Sequence, residues 1–173
     1  PDPRDTVIIL HQLGNHGPSY FQRYPSNFER FIPTCKTADL SQCSQEEITN
    51  SYDNAILYTD HILSQIIEML ANQSNYDASM IYLSDHGESL GEKGLYLHGI
   101  PYAIAPDEQT HIPMLWWLSH DFSQRENIDI ECLNETAETP ASHDNLFHSV
   151  LGLLNVSTMI YQDELDISQR CSS

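Results

Sequence analysis

The sequence predicts an α/β layer fold, and three features carry that prediction. Thr6–Leu10 is a short, wholly apolar run rich in β-branched residues, as expected of a buried parallel strand. A long stretch of helical periodicity follows, and Ala78–Leu83 then supplies a second apolar run. Strand, helix and strand in that order imply right-handed crossovers onto one sheet.

Each element has its own local warrant. The first strand breaks at the turn-rich His11-Gln-Leu-Gly-Asn-His-Gly-Pro18. Ser44 and Glu47 form a capping box that opens a helix from about Gln45 to Ala71. Within it Ile48, Tyr52, Ala55, Thr59, Ile62, Ile66 and Leu70 recur at helical spacing. An Asn/Gln/Ser loop leads into the strand Ala78–Leu83. Residues 87–110 read as one long loop with glycines and prolines, and Ile112–Leu118 as a further strand. Residues 119–141 are polar and irregular. A last helix is expected from about Asp144 to Leu154, capped by Ser142 or His143.

Bulk properties narrow the function. The 173 residues suffice for one domain with a sizeable core. Acidic residues outnumber basic ones 25 to 7, a formal charge of −18. Such a chain has no basic surface to displace phosphate counterions, which excludes nucleic acid as a partner and direct docking onto an anionic membrane. No apolar run of about 18 residues is present to span a bilayer, and no signal peptide opens the chain. Residue 1 is Pro, so the sequence is expected to be a piece of something longer.

Cys35 and Cys43 lie in a polar, loop-like stretch whose spacing suits a small disulfide, stabilising by roughly 2–3 kcal/mol through loop entropy. Cys132 and Cys171 pair with each other or with cysteines outside this sequence; the residues leave both open. Disulfides imply an oxidising compartment, and the absence of any Cys-x2-Cys knuckle argues against a zinc site built from cysteines.

Chemistry concentrates in Ser84-Asp-His-Gly-Glu-Ser-Leu-Gly-Glu-Lys-Gly-Leu-Tyr-Leu-His98. Asp85 and His86 are ligand types that zinc takes, and they stand at a strand end, where α/β sheets place their sites. In a parallel sheet the loops after both strands leave the same edge, so His11 and His16 can converge with Asp85, His86, Glu88 and His98. Other histidines have plainer explanations. His11 can bond a carbonyl at its strand end, His61 packs or is solvated within the long helix, and His111 and His120 flank a strand at the surface. His143 and His148, five apart, lack the spacing of paired helical ligands and fit a structural role or one that supports a ligand from behind.

Several segments resemble those of the lipid A phosphoethanolamine transferases, a family that includes the mobile colistin-resistance enzymes and belongs to the alkaline phosphatase/sulfatase superfamily. They are Leu10-His-Gln-Leu-Gly-Asn-His-Gly-Pro18, Ser51-Tyr-Asp-Asn-Ala55, Tyr82-Leu-Ser-Asp-His-Gly-Glu-Ser-Leu-Gly-Glu92 and Tyr96-Leu-His-Gly99. The Cys35–Cys43 pair and Ser142-His-Asp-Asn-Leu-Phe-His148 fit the same family. The resemblance covers nearly the whole chain, least clearly residues 119–141.

The resemblance implies a three-layer α/β/α fold with only part of its sheet in this chain, residues 1–173 being the C-terminal portion of a periplasmic catalytic domain. Asp85 and His86 match a zinc-binding pair. His16 and His98 match histidines that face the phosphoryl group and can hold a second zinc, and Glu88 matches an acidic residue near the substrate ammonium. The implied reaction moves phosphoethanolamine from phosphatidylethanolamine to a lipid A phosphate through a zinc-activated Thr, and so lowers affinity for polymyxin. That Thr and a further Glu ligand are not recognisable here and are expected upstream, with the family's transmembrane helices. The parent is expected to be a monomer at the periplasmic face of the bacterial inner membrane, and the isolated chain to be inactive. Two alternatives stand beside this reading: a sulfatase or phosphodiesterase-type hydrolase on the same scaffold, and, for the chain alone, a non-catalytic metal-binding module.

Overall fold

The computed structural model describes residues 5–172 and divides them into two units. One holds residues 9–69 and 80–116; the other holds 5–8, 70–79 and 117–172. Helices and strands are both present, as an α/β chain requires.

In the first unit the dominant element is α1, Gln45–Ala71, which enters it for all but its last turn. Its start is set by the capping box expected from sequence. The Glu47 carboxylate accepts from the Ser44 backbone N–H at 2.7 Å and from its hydroxyl at 2.9 Å, while the Glu47 N–H donates back to Ser44 Oγ. The helix buries Ile48, Ser51, Asn54 and Ala55. Two of these are polar and satisfied: Asn54 Oδ1 accepts from the backbone of Arg30 and Phe31, and Ser51 Oγ accepts from Cys35 N–H. Tyr20, Cys35 and Ile48 form the buried centre, flanked by Leu40, Cys43, Tyr52, Leu90 and Leu97. The Cys35–Cys43 disulfide is formed and lies in this cluster.

The strand β1 (Ser79–Leu83) pairs with a later strand, Met114–Leu118. Their relative sense follows from two backbone bonds. The Ser84 N–H donates to Pro113 O at one end and the Ser119 N–H to Ala78 O at the other, so partner numbers fall as strand numbers rise and the pair is antiparallel. The stretch between them is not one loop. It holds β2 (Ser89–Leu90) and β3 (Tyr96–Leu97), paired antiparallel with Ser89 opposite Leu97, and a short helix, α2 (Asp107–Thr110). The pairing partner of β1, β4, is thus the fourth strand.

A second correction concerns Thr6–Leu10, expected as a buried strand. No strand is assigned to it among the described residues. Val7, Ile8, Ile9 and Leu10 are 56–87% exposed. An apolar, β-branched run becomes a strand only where neighbours accept and donate its ladder bonds.

The second unit corrects the reading of 119–141 as irregular. It contains α3 (His120–Arg125), capped by the Ser119 hydroxyl, and α4 (Ile130–Thr136), capped by the Asp129 carboxylate. The last helix, α5 (His143–Leu153), starts at the Ser142 cap with a full capping box from Asn145. Cys132 pairs with Cys171, which resolves the alternatives and ties α4 to the C-terminal turn. Asp166 is fully buried there and accepts from the Tyr161 hydroxyl, the Ser168 N–H and the Ser168 hydroxyl. No helix among the described residues is long and apolar enough to cross a membrane.

Candidate functional site

The loop that leaves β1 carries its chemistry in a fixed shape. Ser84 Oγ donates to the His86 carbonyl, and Gly87 N–H donates to the Gln109 carbonyl. A Cβ at Gly87 would stand 2.1 Å from the Glu108 carbonyl oxygen, so only glycine allows that approach. Ser89, the first residue of β2, is fully buried and accepts from the Gln109 amide.

His98 follows β3 on another constrained turn. Leu97 has φ +64° and Gly99 φ +96°. A positive φ at leucine is costly, by roughly 1–2 kcal/mol, and persists only where packing holds it. Leu97 packs against the buried centre, and its Cδ2 would lie 2.7 Å from a Cβ at Gly17. The strained turn is therefore anchored to the loop that carries His16.

These constraints bring three imidazoles together. The ring centroids of His86 and His98 are 3.9 Å apart, those of His16 and His98 4.9 Å, and those of His16 and His86 6.1 Å. One ligating ring nitrogen from each lies within 4.8 Å of the others. The hydrogen bonds decide which nitrogen is available. His16 Nδ1 is 2.7 Å from Gly17 O, His86 Nδ1 is 2.9 Å from Gly87 O, and His98 Nδ1 is 3.3–3.4 Å from the Glu88 carboxylate. All three partners are acceptors, so Nδ1 is the donor in each ring and Nε2 is the nitrogen left for a ligand. Three imidazoles gathered in this way suit a cation, and an imidazole whose far N–H is tied to a carbonyl or carboxylate is the usual form of a metal ligand. The donor set therefore fits zinc.

Asp85 sits differently. Its side chain is 82% exposed, 3.9 Å from His86 Nε2, and outside the three-histidine group. It accepts from the His86 backbone N–H at 3.1 Å, as an Asp in a turn does. Glu88 is the reverse: its side chain is 5% exposed and faces His98, so it is placed to hold that ring.

The remaining histidines lie elsewhere. His11 is exposed and outside the cluster, and so are His111, His120 and His143. His61 packs on Phe28 at 4.9 Å. His148 is buried, and its Nδ1 accepts from Gln162 N–H, a structural bond.

One residue near the cluster had no sequence signal. Tyr20 is 1% exposed and stacks edge-on against Tyr52 at 5.5 Å. Among the described residues its hydroxyl has no partner at hydrogen-bonding geometry, a state that costs roughly 1–3 kcal/mol. Burial and the adjacent Glu88 carboxylate push its phenol well above the ordinary range. In sequence a tyrosine in a turn reads only as core.

Fold and site together define a class. Residues 1–156 match the sulfatase family model, and the chain belongs to that family. Within it the chain is similar to the phosphoethanolamine transferase EptA of Salmonella typhimurium, 53% identical over 169 residues, 96% of this chain and 31% of that protein. It is 35% identical to the Kdo(2)-lipid A phosphoethanolamine 7''-transferase of Escherichia coli, over 88% of this chain and 27% of that one. The crystallised soluble domain of lipooligosaccharide phosphoethanolamine transferase A from Neisseria meningitidis superposes with TM-score 0.96 at 45% identity, covering 99% of this chain and 52% of that domain. The chain spans under a third of the length of these curated relatives.

Proposed function

We propose that the protein to which this chain belongs transfers phosphoethanolamine from phosphatidylethanolamine to a phosphate of lipid A, using zinc, at the periplasmic face of the bacterial inner membrane. The convergence of His16, His86 and His98, each with Nδ1 engaged and Nε2 open, is the observation that carries this reading. The relatives' names supply the substrate class, and two disulfides suit the oxidising compartment.

Asp85 and His86 would hold a tightly bound zinc with ligands from outside this set, and His16 and His98 would face the phosphoryl group or hold a second ion. Bound zinc supplies a Lewis acid that polarises phosphoryl oxygen and lowers the pKa of an attacking hydroxyl. Protonated at Nε2, or with an ion held there, His16 and His98 would orient the phosphoryl oxygens. Where no ion occupies it, Nε2 can take the proton released by the attacking hydroxyl and pass it to the departing glyceryl oxygen. The bond from phosphorus to that oxygen breaks, diacylglycerol leaves, and a bond to the lipid A phosphate oxygen forms. The threonine that would carry the group between the two lipids is not among the residues gathered here. The Glu88 carboxylate lies beside the cluster, a placement that suits an ethanolammonium nearby. A new ammonium group on lipid A would weaken its attraction for cationic polymyxins.

The test uses the full-length protein with a fluorescent phosphatidylethanolamine and lipid A. Phosphoethanolamine-modified lipid A with released fluorescent diacylglycerol supports the proposal. Free phosphoethanolamine without modified lipid A would establish a hydrolase instead.

A further inference from the structure

The loops that bring His16 and His98 together also hold apolar side chains out in water. His98 is followed by Gly99-Ile-Pro-Tyr-Ala-Ile-Ala-Pro106, a segment without a charge. Its centre is a single 3-10 turn, Tyr102–Ile104, on which Tyr102 is 86% and Ile104 74% exposed. On the other loop Leu13 is 64% exposed, and its carbonyl accepts the His16 N–H at 3.2 Å.

This exposure does not come from a loose segment. The Ile104 N–H donates to Pro101 O at 2.9 Å, and prolines at 101 and 106 bracket the turn. One end of the segment is His98, which meets Glu88. The other runs through α2 to Gln109, whose carbonyl accepts from Gly87 and whose amide donates to Ser89. Both ends are thus fixed to the loop that carries His86 and Glu88. A held turn that keeps Tyr and Ile in water forgoes their burial, which marks a surface that an apolar phase covers.

The neighbouring chemistry specifies that phase. Asp107 and Glu108 follow directly and are exposed. An uncharged apolar tip backed by carboxylates is repelled by an anionic surface and matches a zwitterionic one whose ammonium groups lie outermost. A tyrosine, apolar in its ring and polar at its tip, settles where headgroups meet acyl chains.

We propose that the turn Tyr102–Ile104, with Leu13 beside His16, seats the site on a phosphatidylethanolamine bilayer. Tyr102 and Ile104 enter the boundary of headgroups and acyl chains, so the donor's chains stay in lipid while its headgroup meets the cluster. The inference rests on the phosphoryl-transfer reading above and deepens it, by adding how the lipid is presented. The chain's acidic excess, which opposes an anionic membrane, does not oppose this contact.

The experiment uses the full-length protein in vesicles of phosphatidylcholine and phosphatidylethanolamine, with a polarity-sensitive dye on I104C. The four cysteines of this chain are paired in disulfides and do not take the dye. Strong quenching by lipids brominated in their chains, with little by aqueous iodide, is expected. Quenching by iodide alone would leave the turn in water and overturn the proposal. Quenching by neither would show that another segment of the protein covers the turn, and would overturn it too. A second arm compares Y102S/I104S with the wild type in single-turnover release of diacylglycerol, without lipid A. The donors are a long-chain phosphatidylethanolamine and a short-chain, water-soluble one. The ratio of the long-chain to the short-chain rate constant should fall about 10-fold. An unchanged ratio would contradict the proposal. If the wild-type protein transfers nothing, the functional reading fails, and the quenching still decides where the turn sits.

Discussion

The rings of His86 and His98 lie 3.9 Å apart although a strand pair and two turns separate them in sequence. The backbone of Gly87 fixes one ring and the Glu88 carboxylate the other. Neighbouring residues of one loop thus set both tautomers, and that shared support gives the site its geometry.

Metal content tests the proposed ligand pair. Replacing His86 or Asp85 by Ala in the full-length protein should remove tightly bound zinc and abolish transfer. Elemental analysis of the purified variants checks it, and unchanged zinc would contradict the ligand assignment.

Gly87→Ala should be damaging without touching any imidazole. The added methyl meets the Glu108 carbonyl, which is backbone and cannot move aside cheaply. A stability loss of about 1–3 kcal/mol is expected in chemical denaturation. A variant as stable as wild type would show that this approach is looser than described.

The Cys132–Cys171 disulfide closes a separation of 39 residues. Replacing both cysteines by Ala should cost about 4 kcal/mol on the chain-entropy account. The shift in denaturation midpoint measures it.

His148→Ala should lower stability, by roughly 1–3 kcal/mol, because it leaves the Gln162 N–H without its acceptor. Transfer per folded molecule should not change. Loss of turnover with the fold intact would place His148 in the chemistry.

Alkaline pH supplies a further check. The Tyr20 phenol is raised above its ordinary value of 10.0, so the unfolded chain releases that proton first as pH rises. Its contribution to stability is full below about pH 10 and is lost above it. Tyr52 and Tyr161 are raised too, by burial first. Y20F should therefore reduce, without removing, the fall in stability above pH 10, as read from urea titrations at each pH.

Much of this was legible locally. The capping box of Ser44 and Glu47 and the periodicity through Leu70 marked α1, because both signals are intrinsic to a helix. His16, His86 and His98 stood out as loop residues beside glycines. The sense of β4 was hidden because an apolar run such as Met114–Leu118 does not encode its partner's direction. Thr6–Leu10 failed for a related reason: composition records what a strand buries, and its neighbours decide whether it is one. α3 and α4 were missed because six- and seven-residue helices held by Ser119 and Asp129 carry too little periodicity. Tyr20 was illegible because its burial comes from packing with Tyr52, Ile48 and Leu97, distant in sequence.

The most direct test of the whole account is the mass of lipid A after incubation of the full-length protein with phosphatidylethanolamine, wild type against His98→Ala. The account predicts lipid A heavier by one phosphoethanolamine unit with the wild type, and unmodified lipid A with a folded H98A variant. Unmodified lipid A with both, or equal modification by both, would contradict it.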